Sequence, residues 1–203
     1  MYVYFANLAK NGILSGKNTN APYLESLENA DFLLPDGIAL QTYAKKKHEL
    51  SLFNLNGTDF IDTFLASLPT ESYTLILYGA TKEVVEKIAR ERKDIFYFQD
   101  GYTAFDWEKL DTLPPDKIPL FLIGLGTPKQ EIFVQENREN IEKYQLLTFC
   151  QGTFDFWAGA DSRAPKWVQK MHLEWLWRLC TNPKKNFKKV WWSLSLFWYL
   201  WRR

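Results

Sequence analysis

Short β-rich runs with no internal polar alternation, each followed by a helical pattern, narrow the folds open to this chain more than any other feature. Residues 3–5, 32–34, 73–78, 95–98, 120–125 and 146–149 read as strands, and residues 38–47, 59–68, 82–92 and 128–144 read as helices. A run such as Leu120-Phe-Leu-Ile123 turns apolar side chains to both faces, which suits a strand covered on both sides. Alternation of this kind predicts an α/β fold: a Rossmann-like, mostly parallel sheet with helices on both faces. With 46% hydrophobic residues, 203 residues can fill one sizeable core. Ligands of such sheets bind outside the carboxyl ends of the strands. That rule selects five strand exits, at 35–37, 79–81, 100–102, 124–130 and 151–155.

Three of these exits carry chemistry-bearing residues. Gly124-Leu-Gly-Thr-Pro-Lys-Gln-Glu131 follows an apolar strand and opens a helix, with Thr127 expected as N-cap, Pro128 at the first helical position and Gln130 closing a capping box. It is either a well-capped helix or a cradle for a diphosphate, with Gly124 and Gly126 letting the backbone approach. Position 129 is Lys, so the third glycine of a dinucleotide fingerprint is missing, which argues against a nicotinamide-dependent dehydrogenase. Pro35-Asp-Gly37 is ordinary turn chemistry, or it presents Asp36 as a carboxylate that takes a proton from a sugar hydroxyl. Asp155, in Gln151-Gly-Thr-Phe-Asp155, caps the next turn or holds a ribose hydroxyl pair. The chain has no Asp-x-Asp and no Cys/His cluster, so no metal cofactor is expected, and a diphosphate would rely on backbone amides and Lys/Arg.

Charge divides the chain. From residue 163 onward ten Lys/Arg stand against one acid, Glu174, a net of +9, while the preceding 162 residues carry −8. Eight of nine tryptophans lie between Trp157 and Trp201. The domain boundary is therefore expected near 161–165: an α/β core over 1–162 and an appendage over 163–203. Within the appendage, Val168, Met171, Trp175 and Leu179 recur at helical spacing and are expected to face a core, and Glu174 can pair with Arg178 four residues on. Residues 190–200 are apolar except for Ser193 and Ser195, with Lys184, Lys185, Lys188 and Lys189 before them and Arg202 and Arg203 after. That run is too short to span a bilayer and suits shallow insertion, with Trp191, Trp192, Trp198 and Trp201 at the interface and the cations on anionic lipid. Burial against the body or a partner subunit is the alternative. Nucleic acid is not an expected partner, because the body is acidic. The start shows no signal-peptide pattern. Cys150 and Cys180 fit no metal or redox spacing and are expected as free thiols.

In order, Pro35-Asp-Gly37, Asn56-Gly-Thr-Asp59, Gly124-x-Gly-x-Pro-Lys-Gln-Glu131, Gly152-Thr-Phe-Asp-Phe156 with Ala158-Gly159, and Arg163-Ala-Pro…Leu173-Glu-Trp…Arg178-Leu179 resemble the WecG/TagA/CpsF family, glycosyltransferase family 26. The resemblance covers nearly the whole chain. It implies inverting, metal-free transfer of N-acetylmannosamine, its uronic acid or glucose from a UDP-sugar to an undecaprenyl-diphosphate-linked acceptor, by a peripheral protein on the cytoplasmic face of the inner membrane. It makes Asp36 the general base and places Gln130 and Asp155 on the sugar nucleotide. Asn7, Gly37, Asn56, Gly57, Gly124, Gly126, Lys129, Glu131, Arg163 and Arg178 are then further substrate-binding positions. The cationic C-terminal segment would close over the diphosphate and reach the lipid; self-association is compatible with all of this. The chain departs from the family at Phe5, where a Thr is usual, at Asn54, where an Arg is usual, and at Lys185 and Lys189, where arginines are frequent. Lysine keeps the charge and loses the bidentate fork. These departures carry the alternative of a catalytically silent UDP-sugar-binding or scaffold protein in a glycan-assembly complex.

Overall fold

The computed structural model describes residues 1–6, 21–53, 55–165, 167–168, 171, 173–181, 183, 187 and 191, and only the backbone of residues 6, 38, 39, 175 and 178. In chain order the elements are β1 (Tyr2–Ala6), α1 (Ala21–Glu28), β2 (Phe32–Pro35), α2 (Ile38–His48), α3 (Gly57–Ala66), β3 (Tyr73–Gly79), α4 (Lys82–Glu91) and β4 (Ile95–Gln99). They continue with β5 (Ile118–Gly124), α5 (Lys129–Glu136), α6 (Arg138–Lys143), β6 (Leu147–Cys150), α7 (Phe154–Trp157) and, numbering only these, α8 (Glu174–Thr181). The strands form one all-parallel, six-stranded sheet in the order β2-β1-β6-β5-β3-β4, so the fold is the Rossmann-like α/β class.

The chain divides into two compact units. The first comprises Met1–Phe5, Pro22–Leu34 and Asn56–Asp161 and holds nearly all of the sheet. Its packing follows the two-residue period of the strands. Leu75 and Leu77 of β3, Leu120 and Leu122 of β5, Val3 and Phe5 of β1 and Phe149 of β6 share one buried cluster with Ile61 and Leu65 of α3, Val85 and Ile88 of α4, and Phe154 of α7. The intervening residues face the other way. There Tyr78 and Phe121 meet Phe105, Trp107 and Phe133 of α5 at ring-centroid distances of 5.0–6.4 Å. Helices thus cover both faces, and Leu75–Leu77 of β3 and Leu120–Ile123 of β5 are apolar and buried because neither face meets water there.

One helix expected over 128–144 is two. Asn137 ends α5: its backbone N–H and its side-chain Nδ2 both donate to the Phe133 carbonyl, at 3.1 and 2.8 Å, which satisfies an orphan end. A side chain that competes for backbone carbonyls is a helix stop as well as a cap. Helix α1, whose Tyr23 and Leu27 are buried one turn apart, was not legible in so short a pattern.

The second unit comprises Ala6–Ala21, Pro35–Leu55 and Ser162–Arg203. It holds α2 and α8. The apolar stripe expected from Val168 to Leu179 does not run through: Val168 is buried, but Met171 is 60% exposed. The Met171 N–H donates to the Trp167 carbonyl at 3.1 Å, one helical turn back, and both side chains are exposed, so Met171 lies on the solvent side of that turn; a new helix, α8, begins at Glu174. Glu174 pairs with Arg163, at 3.6 Å and half-buried, while the Arg178 side chain lies outside the described residues. Cys150 is a buried free thiol and Cys180 an exposed one.

Candidate active site

Topology locates a crevice in the first unit. Strand β3 connects outward to β4, whereas its neighbour β5 connects the other way, to β6. Adjacent strands whose exits diverge leave a cleft at their carboxyl ends. Gly79 and Gly124, the last residues of β3 and β5, are register partners there. Gly79 has φ +134°, and a Cβ on it would meet the Gly124 carbonyl carbon at 2.5 Å. The Ala80 N–H donates to the Gly124 carbonyl at 3.3 Å, and the Gly101 N–H donates to the Ala80 carbonyl at 3.0 Å. Three strand exits are therefore stitched through their backbones, at a spacing only glycine permits.

The β5–α5 loop is fixed from beneath by a buried carboxylate. Glu131 is fully buried, and its Oε1 accepts from Thr127 Oγ1 and from Gln130 Nε2, each at 3.0 Å. Gln130, also buried, accepts the Gly126 N–H on Oε1 at 3.0 Å. The expected capping box is thus replaced. Pro128 occupies the N-cap position with no side-chain cap bond, Gln130 reaches back four residues to Gly126, and Thr127 turns its hydroxyl to Glu131. The Thr127–Pro128 peptide bond is cis. Gly126 has φ +80° with open space where a side chain would stand, and Lys129 is exposed. Gly124, Gly126, Lys129, Gln130 and Glu131 are brought together in this one loop and helix start. The charge of Glu131 is felt below it. Burial first, and Glu131 second, raises the Cys150 thiol; burial likewise pushes Tyr4 and Tyr23 up, with Glu131 and Cys150 adding to it. Sequence reasoning missed the setting of Tyr4, Tyr23 and Cys150 around this charge, whose only signal was a glutamate next to Gln130 at the start of a helix.

At the β6 exit, Gln151 and Thr153 are buried and Thr153 Oγ1 donates to Gln151 Oε1. The Gln151 amide nitrogen has no partner among the described residues. Asp155 is half-buried in α7, and its backbone carbonyl accepts from the Ala160 and Asp161 amides at 2.8 and 3.0 Å. Asn56 caps α3, its Oδ1 accepting the Thr58 N–H at 3.0 Å. Gly57 lies against Phe5: a Cβ there would come within 3.2 Å of the ring, which also meets Phe60 edge-on at 5.5 Å. The position where the family shows Thr is here part of the core.

In the second unit Asp36 is half-buried directly after β2. Gly37, φ +96°, is the N-cap of α2, and its carbonyl accepts the Leu40 and Gln41 amides. The Leu55 N–H donates to the Pro35 carbonyl at 3.0 Å, tying the segment after α2 to the residue before Asp36. Trp191 is exposed. Asn7, Asn54, Lys184, Lys185, Lys188, Lys189, Trp192, Trp198 and Trp201 lie outside the described residues.

The whole chain, residues 1–203, matches the family model described as glycosyl transferase WecG/TagA/CpsF family. Over 172 residues it is 31% identical to a Bacillus spizizenii protein named N-acetylglucosaminyldiphosphoundecaprenol N-acetyl-beta-D-mannosaminyltransferase; the match covers 82% of this chain and 66% of that protein. A Bacillus subtilis (strain 168) protein of the same name is 29% identical over 170 residues, 79% of this chain and 65% of the relative. The chain thus spans about two thirds of the length of the curated relatives it matches. The match runs along the full length of the chain, which therefore belongs to the glycosyl transferase WecG/TagA/CpsF family.

Proposed function

We propose that the protein transfers a sugar from a UDP-sugar to a lipid-diphosphate-linked acceptor, with inversion at the anomeric carbon, at the cytoplasmic face of the membrane. Family membership and the names of the relatives support a transferase and a GlcNAc-diphosphoundecaprenol acceptor. The observation that carries the reading is the β5–α5 loop, a half-buried strand exit with Gly126 exposed, held by buried Glu131 at the divergent point of the sheet. Such an exit is where a parallel sheet receives a phosphorylated ligand. The acceptor hydroxyl oxygen attacks the anomeric carbon, the bond to the UDP oxygen breaks, and UDP leaves with the electron pair. Asp36 takes the hydroxyl proton. Gln130 and Asp155 hold the sugar nucleotide, and backbone amides with Lys129 and the C-terminal cations offset the diphosphate charge, so this route needs no metal.

A second role, UDP-sugar binding without turnover, is favoured by Phe5, whose ring is packed into the core against Gly57. Calorimetric titration with UDP, followed by a panel of UDP-sugars assayed for UDP release with a short-chain lipid-diphosphate acceptor, separates the two. Acceptor-dependent UDP release is the expected result. UDP binding with no release from any donor makes the protein a silent binder.

A further inference from the structure

In the second unit, residues 45–53, Lys-Lys-Lys-His-Glu-Leu-Ser-Leu-Phe, are exposed without interruption. Phe53 is 85% exposed, Leu50 56% and Leu52 36%. A loop tip in water is ordinarily polar, and clustered large apolar side chains there mark a contact surface. The segment is also built. Glu49 ends α2 in the left-handed conformation, φ +57°, and the Leu50 N–H returns to the Ala44 carbonyl at 3.2 Å. Gln41 Nε2 donates to the Leu52 carbonyl at 2.8 Å, and the Leu55 amide is held by Pro35. Two backbone bonds and one from the Gln41 side chain therefore hold an apolar tip immediately after a helix end that carries Lys45, Lys46 and Lys47.

We propose that residues 45–53 form a membrane-docking element that lays Leu50, Leu52 and Phe53 into the interface of an anionic bilayer while the lysines meet its headgroups. Charge and chemistry fit that occupant: three lysines stand against one acid, Glu49, next to three apolar side chains in four residues. This contact is separate in sequence from the cationic C-terminal run. Its rigid tie to Pro35 fixes the element to the backbone beside Asp36, so docking sets where that carboxylate stands relative to the lipid surface. The binding half of this inference is independent of the reaction; the positioning half rests on the proposed transfer.

The test uses the full chain with Ser51→Cys carrying a polarity-sensitive fluorophore, in a Cys180→Ser background; buried Cys150 is left in place. With phosphatidylglycerol vesicles the emission shifts to the blue, and with phosphatidylcholine alone it does not. Leu50→Ser with Phe53→Ser lowers the partition coefficient at least tenfold, and Lys45→Gln with Lys47→Gln lowers it roughly thirtyfold at low salt. No shift at vesicle concentrations that sediment the protein overturns the proposal, as does a shift that needs only higher protein concentration, which would mark a second copy as the occupant. In turnover, Leu50→Ser with Phe53→Ser slows transfer to acceptor embedded in vesicles and leaves transfer to a water-soluble short-chain acceptor unchanged. Equal rates on both overturn the positioning half. If the unsubstituted protein turns over neither acceptor, the proposed transfer fails, and the fluorophore still decides the docking.

Discussion

Single positions at the strand exits carry distinct loads, and two glycines show it. Gly79→Ala sets a Cβ into the Gly124 backbone at a positive φ, so it should cost at least about 3 kcal/mol. Gly126→Ala meets open space and should cost only about 1–2 kcal/mol of left-handed strain. Urea midpoints of the two variants check the ranking; similar values would mean the Gly79–Gly124 approach is loose. Glu131→Ala removes the acceptor that holds Thr127 and Gln130, and should weaken UDP binding about tenfold, with Glu131→Gln milder. Unchanged UDP affinity in both would detach Glu131 from the loop's binding task. Which glycines are indispensable could not be read from the residues, because Gly79 matters through a neighbour 45 positions away. Gln130 and Gly126 both stood out in the sequence, but the bond between them did not, since a capping box sends the side chain back three residues and Gln130 reaches back four.

Among elements, the strands were the most legible. The largely apolar runs at residues 73–78 and 120–125 suit strands buried on both faces, and β3 and β5 are neighbours inside the sheet, neither of them at an edge. Legibility failed where a side chain alone decides, as with Asn137 between α5 and α6 and the turn at Met171. One cluster ties several elements at their ends. Asp94, before β4, accepts from Arg92 Nε at 3.0 Å and from the Tyr73 hydroxyl at 3.1 Å, and Arg92 lies over the Trp157 ring at 4.6 Å. Burial pushes the Asp94 carboxyl up, but the Arg92 bond and charge, with Tyr73, outweigh it and hold it below its ordinary 3.8. A depressed folded value contributes stability that is full above 3.8 and is lost as pH falls through the lower folded value. The pair is part-exposed, so the contribution is about 1 kcal/mol. Asp94→Asn should therefore lose stability at pH 7 and show a shallower acid decline below 3.8 than the unsubstituted chain. Parallel acid titrations of the two would refute this.

Over the whole molecule, an acidic first part precedes a basic, tryptophan-rich end, and both lie in a chain whose full length matches one family. Among the described residues no helix is long and apolar enough to cross a membrane. Removing residues 187–203 takes away Lys188, Lys189, Arg202 and Arg203 and should lower retention on phosphatidylglycerol vesicles more than a hundredfold at low salt. Unchanged sedimentation would assign lipid contact to other surfaces. The fold class was legible in the alternation of apolar runs with helical patterns, and the family in motifs that follow one another in order along a chain that matches it throughout. The role proposed for Asp36 comes only from the family resemblance, since Pro-Asp-Gly alone is turn chemistry. Acceptor-dependent UDP release by the unsubstituted chain and by Asp36→Ala tests the account most directly. Loss of turnover by about 10²-fold or more, with the thermal transition and UDP affinity kept, is the predicted result. Turnover by Asp36→Ala at the unsubstituted rate would contradict it.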